Sequence, residues 1–126
     1  MAPLMRAMPR AARTVRVAVV GLGKLGVAHT AVLSMIPNAE LVGVSDLAPA
    51  LGKSVRGMGF LAPFYPSVAQ LLAEARPDAV WVCTPPHVHE PVARQCVEAG
   101  VAAFVEKPLA HSVESAMKLA DRKSVV

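Results

Sequence analysis

The hexapeptide Gly21-Leu22-Gly23-Lys24-Leu25-Gly26 constrains this chain more than any other stretch, because of what flanks it. Before it stand Val15, Val17, Ala18, Val19 and Val20, an apolar run of strand length. After it Leu25, Ala28, Val32, Leu33 and Ile36 recur at helical spacing until Pro37-Asn38. A second apolar run, Leu41-Val42-Gly43-Val44-Ser45, ends on Asp46, twenty residues beyond Gly26. Strand, glycine turn, helix, strand and acid in this order make the dinucleotide-binding fingerprint. Gly21 serves the tight turn, Gly23 the close approach of a pyrophosphate and Gly26 the packing of helix on strand. All three are expected to exclude a Cβ. A helix starting near Lys24 aims free N–H groups and its positive dipole end at the pyrophosphate, and the Asp46 carboxylate is placed to accept hydrogen bonds from the adenosine ribose. Lys24 either touches the phosphates or stands in solvent above them.

The rest of the chain continues the alternation. Pro49 can open a helix running to about Arg56, and Pro63 to Tyr65 is a weak third strand, demoted by its prolines. Ser67-Val68-Ala69-Gln70 fits a capping box for a helix to about Ala75. Ala79-Val80-Trp81-Val82-Cys83-Thr84 is continuous and apolar, as a strand buried on both faces of a parallel sheet should be; Pro85-Pro86 stops it. Val92, Ala93, Cys96 and Val97 share one face of the next helix, with Pro91 expected in its first turn and Gly100 past its end. Val101 to Val105 is the fifth strand. Glu106-Lys107-Pro108 follows it, and Ser112 can cap a last helix carrying Val113, Ala116, Met117 and Ala120. The expected fold is α/β, a doubly wound parallel sheet with strand order 3-2-1-4-5 and helices on both faces.

The chain's 126 residues, 54% of them apolar, suffice for one domain with a core and leave no room for a second. Four arginines, Arg6, Arg10, Arg13 and Arg16, precede the first acid, Glu40, and the remaining nine basic residues balance nine acidic ones. The excess charge therefore reads as a flexible basic arm over residues 1–14, too short and too poor in aromatic and hydroxyl residues for a nucleic-acid arm or a presequence. No apolar run reaches the ~20 residues of a membrane span. Cys83 and Cys96 form neither a disulfide framework nor a metal pair, which points to the reducing cytoplasm; Cys83 with His87 and His89 fits no common zinc spacing.

Four pieces taken together, Gly21-x-Gly23-x-x-Gly26-x-x-His29, Ser45-Asp46, Thr84-Pro85-Pro86-His87-Val88-His89 and Glu106-Lys107-Pro108, resemble the N-terminal domain of the Gfo/Idh/MocA oxidoreductases. The resemblance runs from about Val15 to the end of the chain. It implies a nicotinamide coenzyme lying across the strand ends. Hydride passes between that coenzyme and a hydroxyl- or carbonyl-bearing carbon of a sugar, cyclitol or related substrate. It also implies that Thr84, Pro85 and His89 belong to a coenzyme-contacting loop, that Glu106 and Lys107 lie near the nicotinamide, and that the Lys107-Pro108 bond is commonly cis. Where many relatives carry Asn this chain has Pro86, so a side-chain hydrogen bond is not expected there. An ammonium at Lys107 can stabilise charge developing on a substrate oxygen or share in proton transfer, which makes it the candidate catalytic residue. His29 serves equally as a packed histidine or a functional one.

Asp46 repels a 2′-phosphate and Leu47 offers no cation to receive one, so NAD is expected over NADP. A methyltransferase binding S-adenosylmethionine also uses a glycine loop and an acid, but leaves Glu106-Lys107-Pro108 unexplained. A non-enzymatic nucleotide-binding module is the alternative. Relatives continue into a second domain that completes the substrate pocket; the ending Asp121 to Val126 reads as a truncation, with little turnover expected from these residues alone. The face left open would invite a homo-oligomer or a partner chain.

Overall fold

A computed structural model describes residues 13–107 and 112–120. The basic arm up to residue 12, the bond to Pro108 and the ending from residue 121 lie outside the described residues. Ten elements alternate: β1 (Val15–Val20), α1 (Lys24–Ser34), β2 (Ala39–Ser45), α2 (Pro49–Gly57), β3 (Phe64–Tyr65), α3 (Val68–Ala75), β4 (Ala79–Val82), α4 (Pro86–Glu98), β5 (Ala102–Val105) and α5 (Val113–Ala120). All strand pairs are parallel, in the order β3-β2-β1-β4-β5.

Side chains from both faces of β1 are buried, which is why it reads as a continuous apolar run. On β4, expected to be buried on both faces, Val80 and Val82 are buried but Ala79 and Trp81 only half-buried. On one face Ala18, Val20, Val80 and Val82 meet Leu71 and Ala75 of α3 and Val92, Ala93 and Cys96 of α4. On the other, Val17, Val19 and Val44 meet Leu33 of α1 and Val55 of α2. The β1–β2 register slips between Val17 and Ala18, whose partners are Leu41 and Gly43, so Val42 is the extra residue of a bulge. Beyond it Val20 pairs with Ser45, setting the ends of β1 and β2 level. The prolines shorten β3 to two residues, and Pro63 contributes only a carbonyl, which accepts from the Val44 N–H at 2.9 Å.

Four expectations need correction. Of the apolar stripe on α1 only Leu33 is buried; Leu25 and Val32 are 54% and 57% exposed, Ile36 is also exposed, and Thr30 is buried in their place beside Gly26. The helix approaches the sheet through its smallest residue, so its buried stripe follows Gly26 rather than the bulky apolar positions. On α5, Val113 and Met117 are likewise exposed. Helix α4 starts at Pro86, at N1 where a missing N–H is harmless, and so Pro91 lies inside the helix and the His87 carbonyl loses its donor. Finally, Arg16, counted with the excess charge of the arm although it follows residue 14, is a residue of β1. Its guanidinium donates to the carbonyls of Ala75 (2.5 Å) and Arg76 (3.2 Å), the last turn of α3, where Arg76 takes a left-handed φ of 51°.

The Arg16 backbone also exchanges bonds with Asp78, N–H to Oδ2 at 2.8 Å and carbonyl from the Asp78 N–H at 2.7 Å. Arg16→Ala removes only the side-chain half of this joint. Because that side chain is 43% exposed, a stability loss of about 1 kcal/mol is expected, read as a lower urea midpoint at unchanged slope.

Candidate functional site

In an all-parallel sheet every strand delivers its following loop to the same edge, and the order here reverses between β1 and β4. Ligands of such sheets sit outside the carboxyl ends at that reversal. Four segments converge there: the glycine loop after β1, Asp46 after β2, Cys83-Thr84-Pro85 after β4 and Glu106-Lys107 after β5.

Gly21 turns the chain at φ 96°, and its N–H donates to the Ser45 carbonyl at 2.8 Å. A Cβ on it would stand 2.7 Å from the carbonyl carbon of Cys83 and from the Thr84 nitrogen. On Gly26 a Cβ would fall 1.7 Å from the Gly21 carbonyl oxygen. At Gly23 the bar to a Cβ does not come from the protein: its φ is −71°, and an added Cβ meets no atom of the described residues within 4 Å. Of the three loop glycines, Gly21 and Gly26 are the two that the packing of the described residues requires. The space above Gly23 lies beside the first turn of α1, whose N-cap is Gly23 itself, with no side-chain cap and no acid in the turn. Lys24 and Leu25 in that turn are exposed.

Leu22, between the first two glycines, is 1% exposed and anchors the loop in the core. Its N–H donates to Asp46 Oδ2 at 2.7 Å, while the Ala48 N–H donates to Oδ1 at 2.9 Å. The carboxylate is thus fixed by the backbone of the loop it adjoins, with lone pairs remaining on both oxygens. Asp46→Ala strands the Leu22 N–H, and a loss of about 2 kcal/mol is expected in chemical denaturation, with Asp46→Asn recovering part of it through its amide oxygen.

Across the crevice, Thr84 Oγ1 is buried with no hydrogen-bond partner among the described residues. His89 is 1% exposed, and its Nε2 lies 2.6 Å from the Thr84 carbonyl oxygen; a carbonyl only accepts, so Nε2 carries the proton. Its ring shapes the Thr84-Pro85 loop from beneath. Glu106 is half-buried, with its N–H donating to the Val82 carbonyl at 3.0 Å, and Lys107 is exposed. Burial, then the nearby Glu106 carboxylate, pushes the Cys83 thiol up to about 12; burial does the same to Cys96. Neither thiol is a nucleophile at neutral pH. Sequence reasoning missed Leu22, for which an apolar residue between two loop glycines was the available signal. It also left open the partner of His29, whose Nε2 lies 3.6 Å from Glu106 Oε2. Among the described residues no group of three or more His, Cys, Asp or Glu is placed to hold a metal ion, and no helix is long and apolar enough to cross a membrane.

The crevice fits a dinucleotide on two observations: a reserved space over Gly23 at an uncapped helix N-terminus, and an orphaned hydroxyl at Thr84. Comparison with known proteins agrees. Inositol 2-dehydrogenase 1 of Saccharopolyspora erythraea is 38% identical over 108 residues, 84% of this chain and 32% of the relative. The myo-inositol dehydrogenase of Lactobacillus casei, solved with NAD(H) and myo-inositol, superposes with a TM-score of 0.82 at 30% identity, over 90% of this chain and 36% of that one. The WlbA dehydrogenase of Chromobacterium violaceum, solved with NADH and UDP-GlcNAcA, gives 0.79 at 33% identity, over 94% and 36%. The chain thus spans about a third of the length of these relatives. Residues 15–124 match the pattern of the oxidoreductase family with an NAD-binding Rossmann fold, the Gfo/Idh/MocA oxidoreductases, and the chain belongs to that family.

Proposed function

We propose that residues 15–126 form the coenzyme domain of an NAD-dependent dehydrogenase acting on a hydroxyl- or carbonyl-bearing carbon of a cyclitol, sugar or related substrate. The reserved space above Gly23, at the uncapped start of α1, carries this reading. Once bound, the coenzyme supplies the carbon that accepts or gives hydride. The protein's part is placement: N–H groups of Lys24, Leu25 and Gly26 face the pyrophosphate, Asp46 faces the adenosine ribose, and the Thr84 hydroxyl gains the partner it lacks. Lys107, exposed at the end of β5, is the group for the substrate oxygen, where its ammonium would stabilise developing negative charge.

The substrate class is supported by the relatives solved with inositol and with a nucleotide-linked sugar acid. Turnover is proposed to need a substrate domain beyond these residues, covering the open sheet face where Trp81 and the 41%-exposed Phe104 stack at 5.3 Å, or a second copy doing so. Free thiols at Cys83 and Cys96 fit a cytoplasmic protein.

Thermal melting with NAD, NADP and S-adenosylmethionine tests the reading. NAD at ~100 times its dissociation constant is expected to add about 2.7 kcal/mol and raise the midpoint by roughly 10 °C. NADP should do less, because its 2′-phosphate meets the Asp46 carboxylate. Stabilisation by S-adenosylmethionine alone would overturn the proposal, and a larger shift with NADP would overturn the coenzyme preference.

A further inference from the structure

Helix α1 carries His29 one turn beyond Gly26, and its Nε2 reaches to 3.6 Å from Oε2 of Glu106 at the end of β5. The two side chains are only 29% and 23% exposed, so neither has solvent as its main surrounding. Cys83 lies in the same corner: its Cβ would be 3.6 Å from a Cβ on Gly26, and Glu106 acts on its thiol. The contact therefore joins α1 to β5 across the end of β4. Strand order says what lies above it. Asp46, after β2, marks the adenosine ribose, and the loop after β1 marks the pyrophosphate; the second nucleotide half must continue over β4 and β5. Glu106 is in the floor beneath that half, where the β5 ladder ends and a side chain has least support from its strand.

We propose that His29 is a positioning residue for Glu106, and that through it the helix receiving the pyrophosphate also organises the site for the nicotinamide half of the coenzyme. The inference rests on the coenzyme reading above. Its distinguishing consequence is selectivity for one half of the ligand. A histidine that merely packs α1 would, when lost, disturb the helix N-terminus and weaken every ligand holding a pyrophosphate. A histidine that holds Glu106 affects only ligands with a second nucleoside.

Calorimetric titration with NAD and with ADP, which lacks the second ribose and the nicotinamide, separates the two. His29→Ala is expected to weaken NAD about tenfold while ADP changes by less than about twofold. His29→Gln keeps a donor on a side chain of similar reach and should restore most of the loss. Glu106→Gln, on a different element, should show the same NAD-selective loss even if the alanine variant folds poorly. Combining Glu106→Gln with His29→Ala should weaken NAD no further than the worse single variant. Equal losses for NAD and ADP, or no loss for either, overturn the inference while leaving the coenzyme reading intact. An unaltered chain that binds neither ligand overturns the coenzyme reading and this inference with it.

Discussion

Gly23→Ala is expected to fold as well as the parent chain and to lose its coenzyme. The backbone at Gly23 has φ −71° and ψ −164°, open to any residue, and the added methyl meets no atom of the described residues within 4 Å. Replacing glycine by alanine at an N-cap is slightly unfavourable, and the reduced freedom of the unfolded chain offsets part of it, so stability should stay within about 1 kcal/mol. The methyl would occupy the space through which a pyrophosphate reaches the N–H groups of α1. Losing one or two hydrogen bonds to a charged phosphate is worth about 2.7 kcal/mol, or ~100-fold in affinity. Paired melts and titrations read both effects on one sample. Parent-like NAD affinity in this variant would show that the space above Gly23 is incidental, removing the observation that carries the proposed function.

What was legible in advance divides by physical cause. The glycine turn, the place of Asp46 just after β2, the strand order and the Ser67 cap of α3 could be read because each rests on local chemistry or spacing; the Ser67 oxygen does accept the Gln70 N–H, at 3.1 Å. The buried face of α1 could not. Apolar periodicity there named Leu33, which is buried, together with Leu25 and Val32, which are not; close approach at Gly26 turned Thr30 inward in their place, with its hydroxyl satisfied by the Gly26 carbonyl at 2.7 Å. The start of α4 was hidden for a related reason: two prolines that end a strand also suit a helix N-terminus, and only tertiary context chooses. Arg16 looked like part of a basic arm because its partners, Glu40 and the carbonyls of Ala75 and Arg76, are distant in sequence. At the site, the resemblance assigned His89 to the loop around the coenzyme. Its burial against the Thr84 carbonyl adds that it shapes this loop from the core side.

Gly26→Ala should do the reverse of Gly23→Ala, acting on the fold before the ligand. The new methyl would lie 1.7 Å from the Gly21 carbonyl oxygen and 2.7 Å from its carbon, both main-chain atoms of the turn. No rotamer change relieves a backbone clash, so α1 must lift from β1 or the turn must open. Either movement pulls on Leu22, whose N–H is held by Asp46, and on Thr30 and Leu33, which pack only while the helix stays close. Overpacking within a core typically costs 1–3 kcal/mol, and a rigid contact this short should reach or exceed about 3 kcal/mol. The expected readings are a thermal midpoint lower by roughly 10 °C and a lower urea midpoint at unchanged slope. NAD binding should weaken too, but as a consequence: with the helix start displaced, saturating coenzyme would restore part of the lost midpoint, whereas in Gly23→Ala it would restore nothing because nothing was lost. If Gly26→Ala melts with the parent chain, then α1 does not pack on β1 through this glycine, and the explanation given for its exposed Leu25 and Val32 falls with it.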